Sequence, residues 1–140
     1  MSFSLVDPGI MRPWIVCERS TRWMTSLHRF AGEIMPSNLV ADPRAASRSQ
    51  TLSLLLHAGP SIVLWEIDPQ GLAAGWECLA QAAILAPDTL QIVAATNLSA
   101  KERLTLAALP ISATIAHPEE LVGLRPMVHR YFARSTQHLD

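Results

Sequence analysis

Net charge is almost absent from this chain: 11 Lys and Arg stand against 12 Asp and Glu, for a formal charge of −1. That balance offers no electrostatic case for nucleic acid or for an anionic membrane surface. Long apolar runs are absent too, none approaching the ~20 residues of a membrane-spanning helix. Cysteine is scarce: the chain has 2, and Cys17 and Cys78 form no C-x-x-C pair. Reduced thiols in a cytoplasmic protein are therefore expected. Met1 to Gly9 has neither a basic start nor a long apolar centre and does not read as a signal peptide. Internal repeats and low-complexity tracts are missing. His28, His57, His129 and His138 lack metal-ligand spacing and read as surface or boundary residues.

What is present describes a compact fold. Hydrophobic residues make up 49% of the chain and charged residues 16%, a globular balance. A length of 140 residues suits one domain that buries about two thirds of its unfolded surface. The expected bounds are a domain over 12–134, with 1–11 and 135–140 as loose tails.

The most telling stretch runs from Pro60 to Asp68. Ile62, Val63, Leu64, Trp65 and Ile67 are too continuous for a half-exposed strand and suit a central strand of a parallel sheet covered on both faces. Ligands and chemistry gather outside the carboxyl ends of such strands, where Glu66 falls.

Strand and helix patterns alternate around it. A strand is expected from Trp14 to Glu18, then a helix capped by Ser20 or Thr21 carrying Trp23, Leu27, Phe30 and Ile34 at helical spacing. A short strand from Asn38 to Asp42 precedes a helix that Asp42 would cap, with Pro43 in its first turn. That helix carries Ala45, Ala46, Leu52, Leu55 and Leu56 and stops at Gly59-Pro60. After the Pro60 strand, a helix from Leu72 to Ile84 is expected to bury Leu72, Trp76, Leu79 and Ala83. Leu90 to Ala95 reads as a strand. Asn97 or Ser99 caps the next helix, Ser99 and Glu102 having capping-box spacing. Ile111 to Ala116 reads as a fifth strand, and a final helix from about Pro118 to Arg134 should kink or restart at Pro126. Trp65, Trp23 and Trp76 are expected to pack inward, and any left exposed would mark a partner face. Cys17 reads as a small buried apolar residue.

The carboxyl ends of these strands carry Cys17-Glu18, Glu66 with Asp68, Ala95-Thr96-Asn97 and His117-Pro118. Carboxylates, a hydroxyl and an imidazole thus meet on one edge. The arrangement resembles the receiver domain of two-component response regulators over roughly Arg12 to Arg134. The Pro60 to Glu66 segment looks like the family's Pro-Asp-apolar-apolar-apolar-apolar-Asp, and Ala116 to Leu121 looks like its Lys-Pro segment and the helix start after it. The resemblance implies an α/β fold: a doubly wound, five-stranded parallel sheet, flavodoxin-like (βα)5, with strand order 2-1-3-4-5. It places Glu66 at the phospho-acceptor position, Glu18 and Asp68 in the acidic pocket, and Thr96 or Ala95 at the switch hydroxyl. His117, followed by Pro118, stands in place of the lysine, and the family's commonly cis Lys-Pro bond implies a cis His117-Pro118 bond.

The departures imply a degenerate site. Glutamate carries its oxygens about an ångström beyond those of aspartate, and misplacement of that size costs on the order of a hundredfold in rate. An imidazole lacks the permanent charge of lysine above about pH 6.5. One acid fewer leaves at most weak Mg²⁺ on Glu18, Glu66 and the Asp68 carbonyl; no other cofactor is expected. The implied function is a phosphorylation-independent pseudo-receiver, a signalling module and not an enzyme, with Glu66 as a built-in partial mimic of one charge against nearly two for a phosphoryl group. The alternatives are a weakly phosphorylatable, Mg²⁺-dependent receiver in a phosphorelay, or a flavodoxin-like cofactor-binding protein or enzyme. The last needs a Gly- or Thr-rich anion loop after the first strand, and Glu18-Arg19-Ser20-Thr21-Arg22 has no glycine. The partner implied is another signalling protein, met through the face built by the fourth helix, fifth strand and fifth helix, where a homodimer would also form. Lys101, Glu102, Arg103, Arg125, Arg130 and Tyr131 are the candidates there.

Overall fold

A computed structural model describes residues 10–139, with side chains through Ser135. Five strands, β1 (Ile10–Cys17), β2 (Leu39–Ala45), β3 (Ile62–Ile67), β4 (Leu90–Ala95) and β5 (Ala113–Ile115), alternate with five helices. These are α1 (Arg22–Ile34), α2 (Arg48–Leu55), α3 (Leu72–Leu85), α4 (Ala100–Ala107) and α5 (Arg125–Leu139). A 3₁₀ segment, Pro118–Leu124, leads into α5. The strands form one sheet in the order β2-β1-β3-β4-β5, and every neighbouring pair is parallel. This is the expected doubly wound fold. The strand order reverses between β1 and β3, so a crevice opens at their carboxyl ends.

Side-chain alternation builds a core on each face of the sheet. Ile62 and Leu64 of β3 join Trp14, Val16 and Ile92 under Trp23 and Leu27 of α1 and Val128 and Phe132 of α5. Val63, Trp65 and Ile67 face the other way, against Leu55 of α2, Cys78 and Leu79 of α3 and Leu106 of α4. The Trp65 indole donates to Gln91 Oε1 at 2.9 Å, and the Gln91 amide donates on to the Leu79 carbonyl at 3.3 Å. The two buried polar side chains thus satisfy each other and tie β3, β4 and α3 together.

Several local expectations are corrected. Asp42-Pro43 does not open a helix, because β2 runs through it and α2 starts six residues later. An edge strand tolerates a proline that donates no ladder hydrogen bond, and β2 pairs only with β1. The helix start falls instead to Ser47, whose hydroxyl accepts from the Gln50 amide while the Gln50 side chain accepts from the Ser47 amide. Ala45 therefore lies in β2, and Leu56 is half exposed after α2.

Helix α3 is rotated from the expected phase. Trp76 is 39% exposed, while Gly75, Cys78, Leu79 and Ala82 face inward. A Cβ built on Gly75 would lie 2.8 Å from Ile67 Cδ1, so the glycine lets α3 press directly on β3. β5 is shorter than Ile111 to Ala116, since the Ile111 amide is held by the Leu109 carbonyl in the turn after α4. The last helix does restart, at Arg125, with Pro126 in the first turn of α5. No cis peptide bond occurs among the described residues, so the His117-Pro118 bond is trans and not cis. β1 begins at Ile10 and α5 reaches Leu139, so regular structure extends past the expected bounds of 12 and 134. Residues 1–9 of the expected N-terminal tail and the side chain of His138 lie outside the described residues.

Candidate functional site at the carboxyl edge of the sheet

The crevice is built from the ends of β1, β3, β4 and β5. After Cys17 the chain turns, and Glu18 folds its carboxylate over the start of α1. Its Oε1 accepts from the Trp23 amide at 2.9 Å and its Oε2 from the Met24 amide at 2.8 Å. The Ser20 hydroxyl accepts from the Arg22 amide at 3.2 Å and donates to Glu18 Oε1 at 3.3 Å. Three first-turn amides are thereby satisfied, and a carboxylate sits where the helix dipole favours it. Thr21, at the cap position, makes no side-chain cap bond. Of the two expected caps only Ser20 takes part, and Glu18 does most of the capping.

Glu66 is half-buried at the end of β3. Its Oε1 accepts from the Arg19 amide at 3.0 Å, and its Oε2 lies 3.4 Å from the donating Thr96 hydroxyl. Ala95, the other candidate for the switch position, is buried with the α2–α4 core, so Thr96 is the residue that presents a hydroxyl to Glu66. The Arg19 guanidinium reaches across the crevice to Asp68, 3.1 Å from Oδ2. Asp68 Oδ1 accepts in turn from the Gly71 amide at 2.7 Å, ahead of α3. One arginine thus bridges the two acids of the β3 end, through its amide to Glu66 and its guanidinium to Asp68. The Arg19 side chain is 64% exposed, so this ion pair locates the loop more than it stabilises the fold.

The structure brings Glu66 and Thr96 together and links Asp68 to them through Arg19, but Glu18 is turned away to its helix. No group of three His, Cys, Asp or Glu side chains able to hold a metal ion is present among the described residues. Of the expected Mg²⁺ ligands Glu18, Glu66 and the Asp68 carbonyl, Glu18 is committed as a helix cap and the Asp68 carbonyl accepts from the Gly71 amide at 3.1 Å. His117 is exposed and caps nothing with its side chain. It lines a small hollow with Thr96, Asn97, Arg22 and Arg103. Asn97 holds the bend between β4 and α4 with a left-handed backbone, φ 59°, a conformation asparagine tolerates better than most residues. Behind the crevice, burial pushes the Cys17 thiol up, opposed by the Arg48 guanidinium and raised further by Glu66. That thiol is a packing group and not a poised nucleophile.

Arg19 is the crevice residue that sequence reasoning missed. Its only signal was a cation directly after the acid at the end of β1. Tyr131, expected on the docking face, is committed elsewhere. Its hydroxyl accepts from the Ser61 amide and donates to the Ser61 carbonyl, both at 3.0 Å. It thus pins α5 to the start of β3, while Lys101, Arg103, Arg125 and Arg130 remain exposed. His28 and His57 are exposed and His129 is half-buried.

Strand order, crevice position and edge residues together define the fold as that of a response-regulator receiver domain. Solved structures bear this out. A CheY-like response regulator receiver domain protein from Methanospirillum hungatei superposes with a TM-score of 0.66 at 16% identity, over 90% of this chain and 99% of that one. A CpaE2 pilus assembly protein from Sinorhizobium meliloti gives 0.64 at 18% identity, over 85% and 98%. The pilus assembly protein CpaE from Caulobacter crescentus gives 0.56 at 15% identity, over 85% and 95%. At these identities the likeness is one of fold. No protein-family model matches the sequence, and no curated protein matches it.

Proposed function

We propose that the chain is a receiver-like signalling module that works by docking to another protein without being phosphorylated. One observation carries the reading: each acid of the crevice is already committed to a partner in the protein. Glu18 caps α1, Glu66 accepts from the Arg19 amide, and Asp68 pairs with the Arg19 guanidinium. Phosphoryl transfer rests on positioning and on cations that neutralise the transferred group. Here the cation beside Asp68 is the protein's own Arg19. The approach of the Glu66 carboxylate to Thr96 supports its reading as a built-in, singly charged stand-in for a phosphoryl group.

The module would act by contact and not by catalysis, in the cytoplasm. Its partner would be a signalling or assembly protein; two of the fold neighbours are pilus assembly proteins, which makes such an assembly the first context to search. The exposed cations of α4 and α5 are the surface we assign to docking. A flavodoxin-like cofactor site is disfavoured, because the start of α1, where a cofactor phosphate would bind, is filled by the Glu18 carboxylate.

The test is a titration with Mg²⁺ and beryllofluoride, followed by tryptophan fluorescence. Trp23 donates its amide to Glu18 and reports on the crevice; Trp65 faces the opposite core. No saturable change is expected, with Mg²⁺ alone also silent. A saturable, Mg²⁺-dependent change lost in Glu66→Ala would overturn the proposal in favour of a phosphorylatable receiver. Once a partner is found, its affinity should fall in Glu66→Gln if the carboxylate acts as the mimic, and unchanged affinity would remove that role.

A further inference from the structure

A hollow of about 260 Å³ lies between the carboxyl ends of β4 and β5 and the start of α1. Arg22, Thr96, Asn97, Arg103 and His117 line it, and no acidic residue does. Glu66 does not line it, although its Oε2 lies 3.4 Å from the Thr96 hydroxyl. The ion pairs among the described residues are Arg19–Asp68 and Arg44–Asp42, so neither Arg22 nor Arg103 joins one. The Arg22 guanidinium lies over the Trp23 ring, 5.4 Å from its centroid, which orients it without neutralising it.

Two arginines without acid partners line one concave surface, and an anion seated there is attracted to both. Guanidinium forks match the oxygens of a phosphate in pairs. The Asn97 side-chain amide and the His117 imidazole add donors, while the Thr96 hydroxyl donates to Glu66 Oε2. The shape selects the ligand further, since so compact a hollow takes one head group and not an extended acidic peptide.

We propose that this hollow is a metal-independent, noncovalent binding site for the phosphate group of a small molecule. It involves no bond to Glu66 and no Mg²⁺. The inference does not rest on the docking reading above: either can fail while the other stands.

The test is a titration of the full chain in EDTA, at constant ionic strength, read by amide nitrogen–proton correlation spectra. The probes are inorganic phosphate, AMP and a glutamate-rich peptide. Saturable shifts confined to Arg22, Thr96, Asn97, Arg103 and His117 are expected. Affinity should fall about tenfold in each of Arg22→Gln and Arg103→Gln, while Arg103→Lys, which keeps the charge but loses the fork, falls less. Both arginines are exposed, so unchanged urea midpoints are expected to show that these variants fold. Tighter binding of AMP than of phosphate would identify a nucleotide-like ligand; equal binding would identify phosphate alone. Unsaturated shifts spread over the surface would overturn the proposal, as would affinity unchanged in Arg103→Gln. So would binding that needs Mg²⁺ and vanishes in Glu66→Ala, or tighter binding of the peptide than of either phosphate probe.

Discussion

Glu18 illustrates how one carboxylate can serve either chemistry or structure, but not both at once. Both its oxygens accept first-turn amides of α1, and drawing it toward a metal would leave those amides unpaired. Removing it should therefore be felt in stability. Glu18→Ala is expected to lower the unfolding free energy by about 1–2 kcal/mol, the range for a lost helix cap, with Glu18→Gln retaining part of it; urea denaturation measures both. A loss under ~0.3 kcal/mol in Glu18→Ala would mean that water replaces the cap at no cost. The positions of Glu66 and Thr96 at strand ends were legible because a continuous apolar run fixes where a buried strand stops. The role of Arg19 was not, since nothing in a linear pattern tells which acid a flexible guanidinium will reach.

At the scale of the element, α3 shows how small residues decide a helix's phase. Two phases compete in its sequence: Leu72 and Leu79 pack inward in either, but one would bury Trp76 with them and the other buries the small residues Gly75, Cys78 and Ala82. Burying the small residues brings the helix closer to the sheet and leaves Trp76 on the outside. Gly75→Ala is expected to cost about 1–3 kcal/mol by overpacking against Ile67. Trp76→Ala, by contrast, should stay within about 0.5 kcal/mol of the parent. Denaturant midpoints of the two variants check the contrast, and a larger loss at Trp76 would mean that its ring is packed. The second helix carries a similar lesson. Asp42-Pro43 is a sound local helix signal, but pairing of β2 with β1 outweighs it and leaves the start to the Ser47–Gln50 box.

Over the whole molecule, the two cores meet the sheet from opposite sides and bury ionisable groups in their protonated forms. Burial pushes Cys17 and Cys78 above the ordinary thiol value of 9.0 and Tyr131 above the ordinary phenol value of 10.0. For Tyr131, the hydrogen bonds with Ser61 oppose the shift. The unfolded chain therefore loses these protons first as pH rises, and the folded state loses stability. Stability should be insensitive to these groups below about pH 8 and decline from about pH 9 upward. A series of thermal or urea midpoints checks this. The decline should flatten in the Cys17→Ala, Cys78→Ala and Tyr131→Phe variants even where their stability at neutral pH is lower. A midpoint that rises through this range would contradict the burial argument.

The sequence by itself determined the class of fold, because βα alternation with continuous apolar strands leaves few arrangements other than a doubly wound parallel sheet. It also determined which residues stand at the carboxyl edge, since strand ends are set by local apolar runs and caps. Only the tertiary structure decided which of those residues meet. Glu18 turned to its helix, Arg19 crossed to Asp68, and Trp76 was rotated outward. Each outcome depends on contacts between segments far apart in the chain, where packing distance and the partner within reach outweigh local preference.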